Sequence, residues 1–178
     1  ESVNLSCLVP LIKEVPAYGQ LIDELVEKAG QRRAVVLGAA QPYLVAALHQ
    51  ELPLPMLVIV PTPEDARRFQ EQLLIWCGDQ SGIVLLPEPD ALPYERLAPD
   101  SFTEQQRLQA LASLAEAKRE PKPDTRFPLV ISSAAAVVRK TIPYTEFMAA
   151  SYTVRPGMRA DPLELLARWS SMGYQRVN

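Results

Sequence analysis

Histidine, cysteine and glycine are scarce in this chain, and each shortage narrows what it can do. The 178 residues include one histidine, two cysteines and seven glycines. His49 falls within a helical stretch with no partner evident in sequence, so we expect a surface or helix-end residue rather than a catalyst. Cys7 and Cys77 have neither metal-ligand spacing nor a disulfide framework. Both are expected to be buried as small apolar groups, as suits a cytosolic protein. The glycines form no Gly-x-Gly-x-x-Gly fingerprint, and Ser132 and Ser133 lack the Gly-x-Ser-x-Gly elbow of an activated nucleophile. No acidic pair follows a buried strand to hold magnesium. No apolar run approaches the eighteen residues of a membrane span, and no signal peptide opens the chain. A soluble, cytoplasmic protein without cofactor or metal is expected, and Glu1 in place of methionine suggests a processed, tagged or partial chain.

What is present is an ordinary globular composition, 48% hydrophobic and 22% charged. A chain of this length buries roughly 70% of its unfolded surface, so it needs no covalent staple. The net charge of −3 is unevenly spread. Residues 1–117 carry 8 basic and 16 acidic side chains, whereas residues 118–178 carry 10 and 5. The acidic first two-thirds disfavours nucleic-acid readout, which needs a basic surface, often with stacking aromatics. The basic end is compatible with a partner there or with a solvated face.

The stretch Ala34-Val-Val-Leu-Gly-Ala-Ala-Gln-Pro-Tyr-Leu-Val-Ala-Ala-Leu48 has the strand–loop–helix outline of a phosphate loop. A working loop needs Gly-x-x-x-x-Gly-Lys-Ser/Thr, whose backbone N–H groups cradle phosphates and whose lysine reaches the β/γ-phosphates. Counting from Gly38, the last three positions are Tyr43, Leu44 and Val45. None of these side chains can pair with a phosphate or hold magnesium. Tyr43 would fill the triphosphate's space, and Pro42 removes an N–H donor. The outline is present without its chemistry, though strand–glycine–helix turns also occur in α/β proteins that never bound nucleotide.

The remaining pattern alternates between strands and helices. An amphipathic helix over 17–30 precedes a strand at Ala34–Gly38 and a helix at Pro42–Glu51. Strands follow at Met56–Val60, Gly82–Leu86 and Leu129–Ser132, the first of them continuous in apolar character as expected where both faces are covered. Between the first two of these lies a helix capped by Thr62, with Pro63 at its first position, Glu64 and Asp65 in its first turn, and Gly78 closing it. Pro87–Asp100 contains four prolines, reading as an exposed ordered loop. Ser101 and Glu104 form a capping box for a helix to about Lys118 with the stripe Leu108, Leu111 and Ala115. A polar linker covers 118–126, and short helices follow at Ser133–Val138 and Pro143–Ala150. The alternation implies a parallel three-layer α/β/α domain over 1–150. Thereafter Tyr152–Arg155 reads as a strand and Asp161–Pro162 starts a helix carrying Leu165, Leu166, Trp169 and Met172, with Trp169 facing a core. A strand and a helix bury no core alone, so 151–178 is expected to open a second, α+β domain that is truncated here.

Five stretches in order resemble one family: GAAQPYLVAALHQEL (38–52), ALPYERLAPD (91–100), Arg107-Leu-x-x-Leu, VISSAAAVVRKTIP (130–143) and TVRPGMRADPLELLARWSSMGYQRV (153–177). Together they are similar to the N-terminal, UvrB-like module of bacterial transcription-repair coupling factors, the Mfd family. The resemblance implies a degenerate helicase-like domain that has lost its phosphate loop, followed by the start of a UvrA-binding domain. It implies transcription-coupled nucleotide excision repair, with RNA polymerase and double-stranded DNA handled by other domains, including an ATP-dependent translocase motor. UvrB itself would show Gly-Lys-Thr at the loop and a longer aromatic hairpin after its equivalent of Tyr94; here the loop is short.

The family's UvrA-contacting residues lie beyond Gly173-Tyr-Gln-Arg-Val177, so none transfers by motif. Arg155, Arg159, Arg168 and Arg176 lie where the UvrA-binding domain begins and are candidates to flank that interface. Two other readings stay open. A functional P-loop or UvrB-type helicase would need a lysine near position 44. A Rossmann-like small-molecule binder would place its ligand at the strand carboxyl ends near Gly38, Pro61 and Pro87, and would need a deep pocket beside Gly38.

Overall fold

A computed structural model describes residues 3–27, 30–78, 82–89, 100–119, 127–152, 154, 156–159, 161–171 and 174. The chain divides into two compact units, Glu1–Lys140 and Thr141–Asn178.

The first unit is built on a parallel sheet of three strands, β1 (Met56–Val60), β2 (Ile83–Leu86) and β3 (Leu129–Ser133), in the order β1-β3-β2. Met56 and Ile83 both pair with Leu129, so alternate residues line up across all three strands. One face presents Met56, Val58, Leu129, Ile131, Ile83 and Leu85 to α2 (Gln41–Glu51) and α3 (Pro63–Cys77). On the other face Val84, Leu86 and Val130 meet Ala110 and Leu114 of α4 (Ser101–Arg119). Helices on both faces of a parallel sheet are the predicted three-layer α/β arrangement. β2 and β3 are buried throughout. β1 is buried or half-buried only on alternate residues, since Leu57 and Ile59 remain 49% and 52% exposed.

Local chemistry sets the helix ends. Thr62 caps α3 reciprocally: its Oγ1 accepts from the Asp65 N–H at 3.2 Å and donates to Asp65 Oδ2 at 2.8 Å. Gly78 ends α3 in the left-handed region at φ +66°. A Cβ there would stand 2.8 Å from Ser6 Oγ. Gly78→Ala is therefore expected to cost about 1–2 kcal/mol, read as a lower urea midpoint at unchanged m-value. The start of α4 differs from expectation by one residue. Asp100, not Ser101, is the capping side chain, accepting from the N–H and Oγ1 of Thr103 at 3.1 Å each. These bonds hold the Asp100 carboxyl below its usual range. Two adjacent capping residues compete here, and the carboxylate prevails with a hydroxyl three residues on as a second donor. The α4 stripe also shifts: Leu108 is exposed, while Arg107, Ala110 and Ala115 are buried.

The predicted strand at Ala34–Gly38 does not form. Those residues lie outside any strand, with Val35 fully exposed and Leu37 82% exposed. Four apolar residues make a strand only if a neighbour pairs with them, and none does so here among the described residues. The helix half of the motif is intact: a 3₁₀ turn at Gly38–Ala40 leads into α2, with Pro42 in its first turn.

The segment before α1 (Pro16–Glu27) was not anticipated as structure. Ser6–Glu14 winds as 3₁₀ helix and inserts Val9 and Ile12 into the core of α2 and α3. Leu5 N–H donates to Ile75 O at 2.8 Å. Glu51, the last residue of α2, joins this strap and α1: it accepts from Lys13 Nζ at 3.0 Å and from Tyr18 OH at 2.9 Å. The bond from Lys13, then that from Tyr18, holds the Glu51 carboxyl below its usual range. Burial, reinforced by the bond to Glu51, pushes the Tyr18 phenol up. A carboxylate with a depressed folded pKa contributes stability present above its unfolded pKa and lost as pH falls through the folded one. Glu51→Gln should therefore lower Tm at neutral pH and make its decline on acidification shallower, a comparison that a series of melts at pH 7 to pH 3 makes directly.

The second unit contains α6 (Tyr144–Ala150) and α7 (Pro162–Ser171), with no buried residue in either. Tyr152 and Val154 lie outside any strand, Val154 being 56% exposed, so the expected strand at 152–155 is not seen among the described residues. Trp169, expected to face a core, is 37% exposed, and no residue of α7 is buried. Met172 and Gly173 lie outside the described residues, as do Ala29, most of the Pro87–Asp100 loop and most of the 118–126 linker.

Candidate functional site

The phosphate-loop positions are occupied by packing. Tyr43 places its ring 4.8 Å from that of Trp76, tilted by 57°. Its hydroxyl donates to the carbonyls of Leu8 and Val9 at 3.2 and 3.4 Å. Tyr43 is thus the pin that holds the amino-terminal strap to α2 and α3. Leu44 and Val45 pack half-buried against the same core. Where a phosphate site would require a lysine and a hydroxyl directed at the ligand, this chain has an aromatic that meets Trp76 of α3 and the strap, and two aliphatics partly buried against the core. Gly38 lies at the open end of this turn, with nothing within 4 Å of where a Cβ would stand.

The carboxyl ends of the strands carry a cleft of about 280 Å³, bordered by Arg67, Glu88, Thr103 and Ser133 with apolar walls from Ala66 and Leu85. It adjoins Pro87 and Pro63, on the β2 and β3 side of the sheet, and not Gly38. Its hydroxyls, Thr103 and Ser133, are already engaged, Thr103 Oγ1 donating to Asp100 Oδ2 at 3.1 Å, and so is that of the neighbouring Ser132. Ser132 Oγ donates to Leu86 O at 2.9 Å. Ser133 Oγ donates to Glu88 Oε1 at 2.8 Å and accepts from the Ala136 N–H at 3.1 Å, capping α5 (Ala134–Val137). Both serines are buried, at 0% and 2% exposure, and the Ser133 hydroxyl lies against the Glu88 carboxylate. The helices that begin at this edge are satisfied by their own side chains: Thr62 with Asp65, Asp100, and Ser133. Helix N-termini favour anions, but here carboxylates and hydroxyls of the chain itself take that role. The buried guanidinium of Arg107 donates to Pro87 O, fixing the start of the proline-rich loop to α4.

His49 falls in the last turn of α2 and its Nε2 is 2.8 Å from Phe127 O. A carbonyl only accepts, so Nε2 carries the proton, and the histidine ties α2 to the approach of β3. Cys77 is buried as expected, whereas Cys7, on the outer side of the strap, is exposed. Among the described residues no group of histidine, cysteine and carboxylate side chains could hold a metal ion. No described helix is long and apolar enough to cross a membrane.

Of the four candidate arginines, Arg159 is exposed and Arg168 is exposed with its guanidinium 4.5 Å from the Tyr152 ring centroid. That distance permits cation–π attraction. Arg155 and Arg176 lie outside the described residues. The structure therefore brings Tyr43, Leu44 and Val45 together as core, and Arg168 to Tyr152. The contacts missed in sequence, Tyr43 to the strap and His49 to Phe127, span 34 or more residues and leave no local signal.

The molecule is thus a protein whose first unit is an α/β layered domain in which Tyr43, Leu44 and Val45 at the start of α2 pack against the core. No family model matches the chain. Its relatives among known proteins are transcription-repair coupling factors, as the five stretches indicated. It is 32% identical to that of Myxococcus xanthus over 165 residues, covering 89% of this chain and 13% of that protein. It is 27% identical over 174 residues to those of Mycobacterium bovis and Mycobacterium tuberculosis, covering 96% of this chain and 13% of theirs. The chain therefore corresponds to about an eighth of the length of the curated relatives it matches.

Proposed function

We propose that this chain acts in transcription-coupled nucleotide excision repair as a non-catalytic interaction module. Its first domain is a degenerate helicase-like scaffold, and residues 151–178 begin a second domain that recruits UvrA to stalled RNA polymerase. Polymerase and double-stranded DNA are engaged by other domains of the longer protein, where ATP hydrolysis also takes place. The observation that carries this reading is the fate of Tyr43, Leu44 and Val45. In a relative of a motor protein, the positions that would serve a nucleotide are used to hold the domain together. The similarity to transcription-repair coupling factors supplies the biological setting.

The basic tail supplies the partner side. Exposed charges at an interface rim chiefly tune association rate and salt dependence. Reversing Arg155, Arg159, Arg168 and Arg176 to glutamate in the full-length protein should weaken UvrA binding by about tenfold, or 1.4 kcal/mol, at low salt, with a smaller loss at high salt. Unchanged affinity at low salt would remove these arginines from the interface. Because Arg168 also lies over Tyr152, Tyr152→Leu serves as the control: it removes the intramolecular contact and leaves the charge.

A further inference from the structure

We draw no further inference here: the strongest candidate, the open edge and half-exposed apolar face of β1 at Leu57 and Ile59, carries none, because nothing in the structure shows what covers it.

Discussion

Tyr43→Ala is expected to destabilise the first unit by about 3 kcal/mol, which for a chain of this size lowers Tm by roughly 6–12 °C. The side chain does three things at once. It packs its ring, tilted, against that of Trp76, fills space in the core of α2, α3 and the strap, and bonds the strap carbonyls of Leu8 and Val9. Truncation removes the ring contacts, leaves a void that the flanking helices close only in part, and frees the strap. Tyr43→Phe separates these contributions. It keeps the ring and loses only the hydroxyl bonds, each long, so a loss of about 0.5–1.5 kcal/mol is expected. The same pair of variants tests the functional reading. If Tyr43 merely plugged an otherwise competent nucleotide site, Tyr43→Ala would gain ATP affinity. A structural pin predicts lost stability with no such gain. Thermal melts with and without nucleotide distinguish the two in one experiment.

The limits of the sequence follow from which interactions are local. The α3 cap is legible because Thr62 and Asp65 are three residues apart, and Gly78 because a left-handed stop favours glycine. The strands β2 and β3 are legible because a parallel sheet buried on both faces needs continuous apolar runs; β1 shares the apolar run, yet its Leu57 and Ile59 face stays half-exposed, contrary to the expectation of two covered faces. Ala34–Gly38 carries the same local pattern as β1, yet only β1 has a partner, and pairing is a property of the neighbour. The strap Ser6–Glu14 escaped because Pro10 argues against a helix there, while its anchors, Tyr43, Ile75 and Glu51, lie far along the chain. For the site, the loss of phosphate chemistry at positions 43–45 could be read from residue types alone. What replaced it could not, because the Leu8 and Val9 carbonyls and the Trp76 ring reach Tyr43 only through the tertiary fold.

Magnesium–ATP at 1 mM is expected to leave the melting temperature of this chain within about 1 °C of its value without nucleotide. A site with a dissociation constant near 1 μM would behave differently. At a thousandfold excess over that constant, ligand stabilises the folded state by about 4.1 kcal/mol, which corresponds to a rise of roughly 8–16 °C at this chain length. The two outcomes are far apart, so the experiment decides even at modest precision. The expectation of no binding rests on what a triphosphate would meet. It would find no lysine at positions 43–45, an N–H removed at Pro42, and helix starts at the strand ends already capped by Thr62, Asp100 and Ser133. The negative charges of Glu64 and Asp65 in the first turn of α3 would repel it further. Isothermal titration at millimolar nucleotide checks the melt without heating. A saturable heat with a dissociation constant below about 100 μM, near −5.5 kcal/mol, would mean that nucleotide has found donors other than those of the Gly38 turn. The cleft by Arg67 and Thr103 would then be the place to look, and Arg67→Ala would abolish the heat.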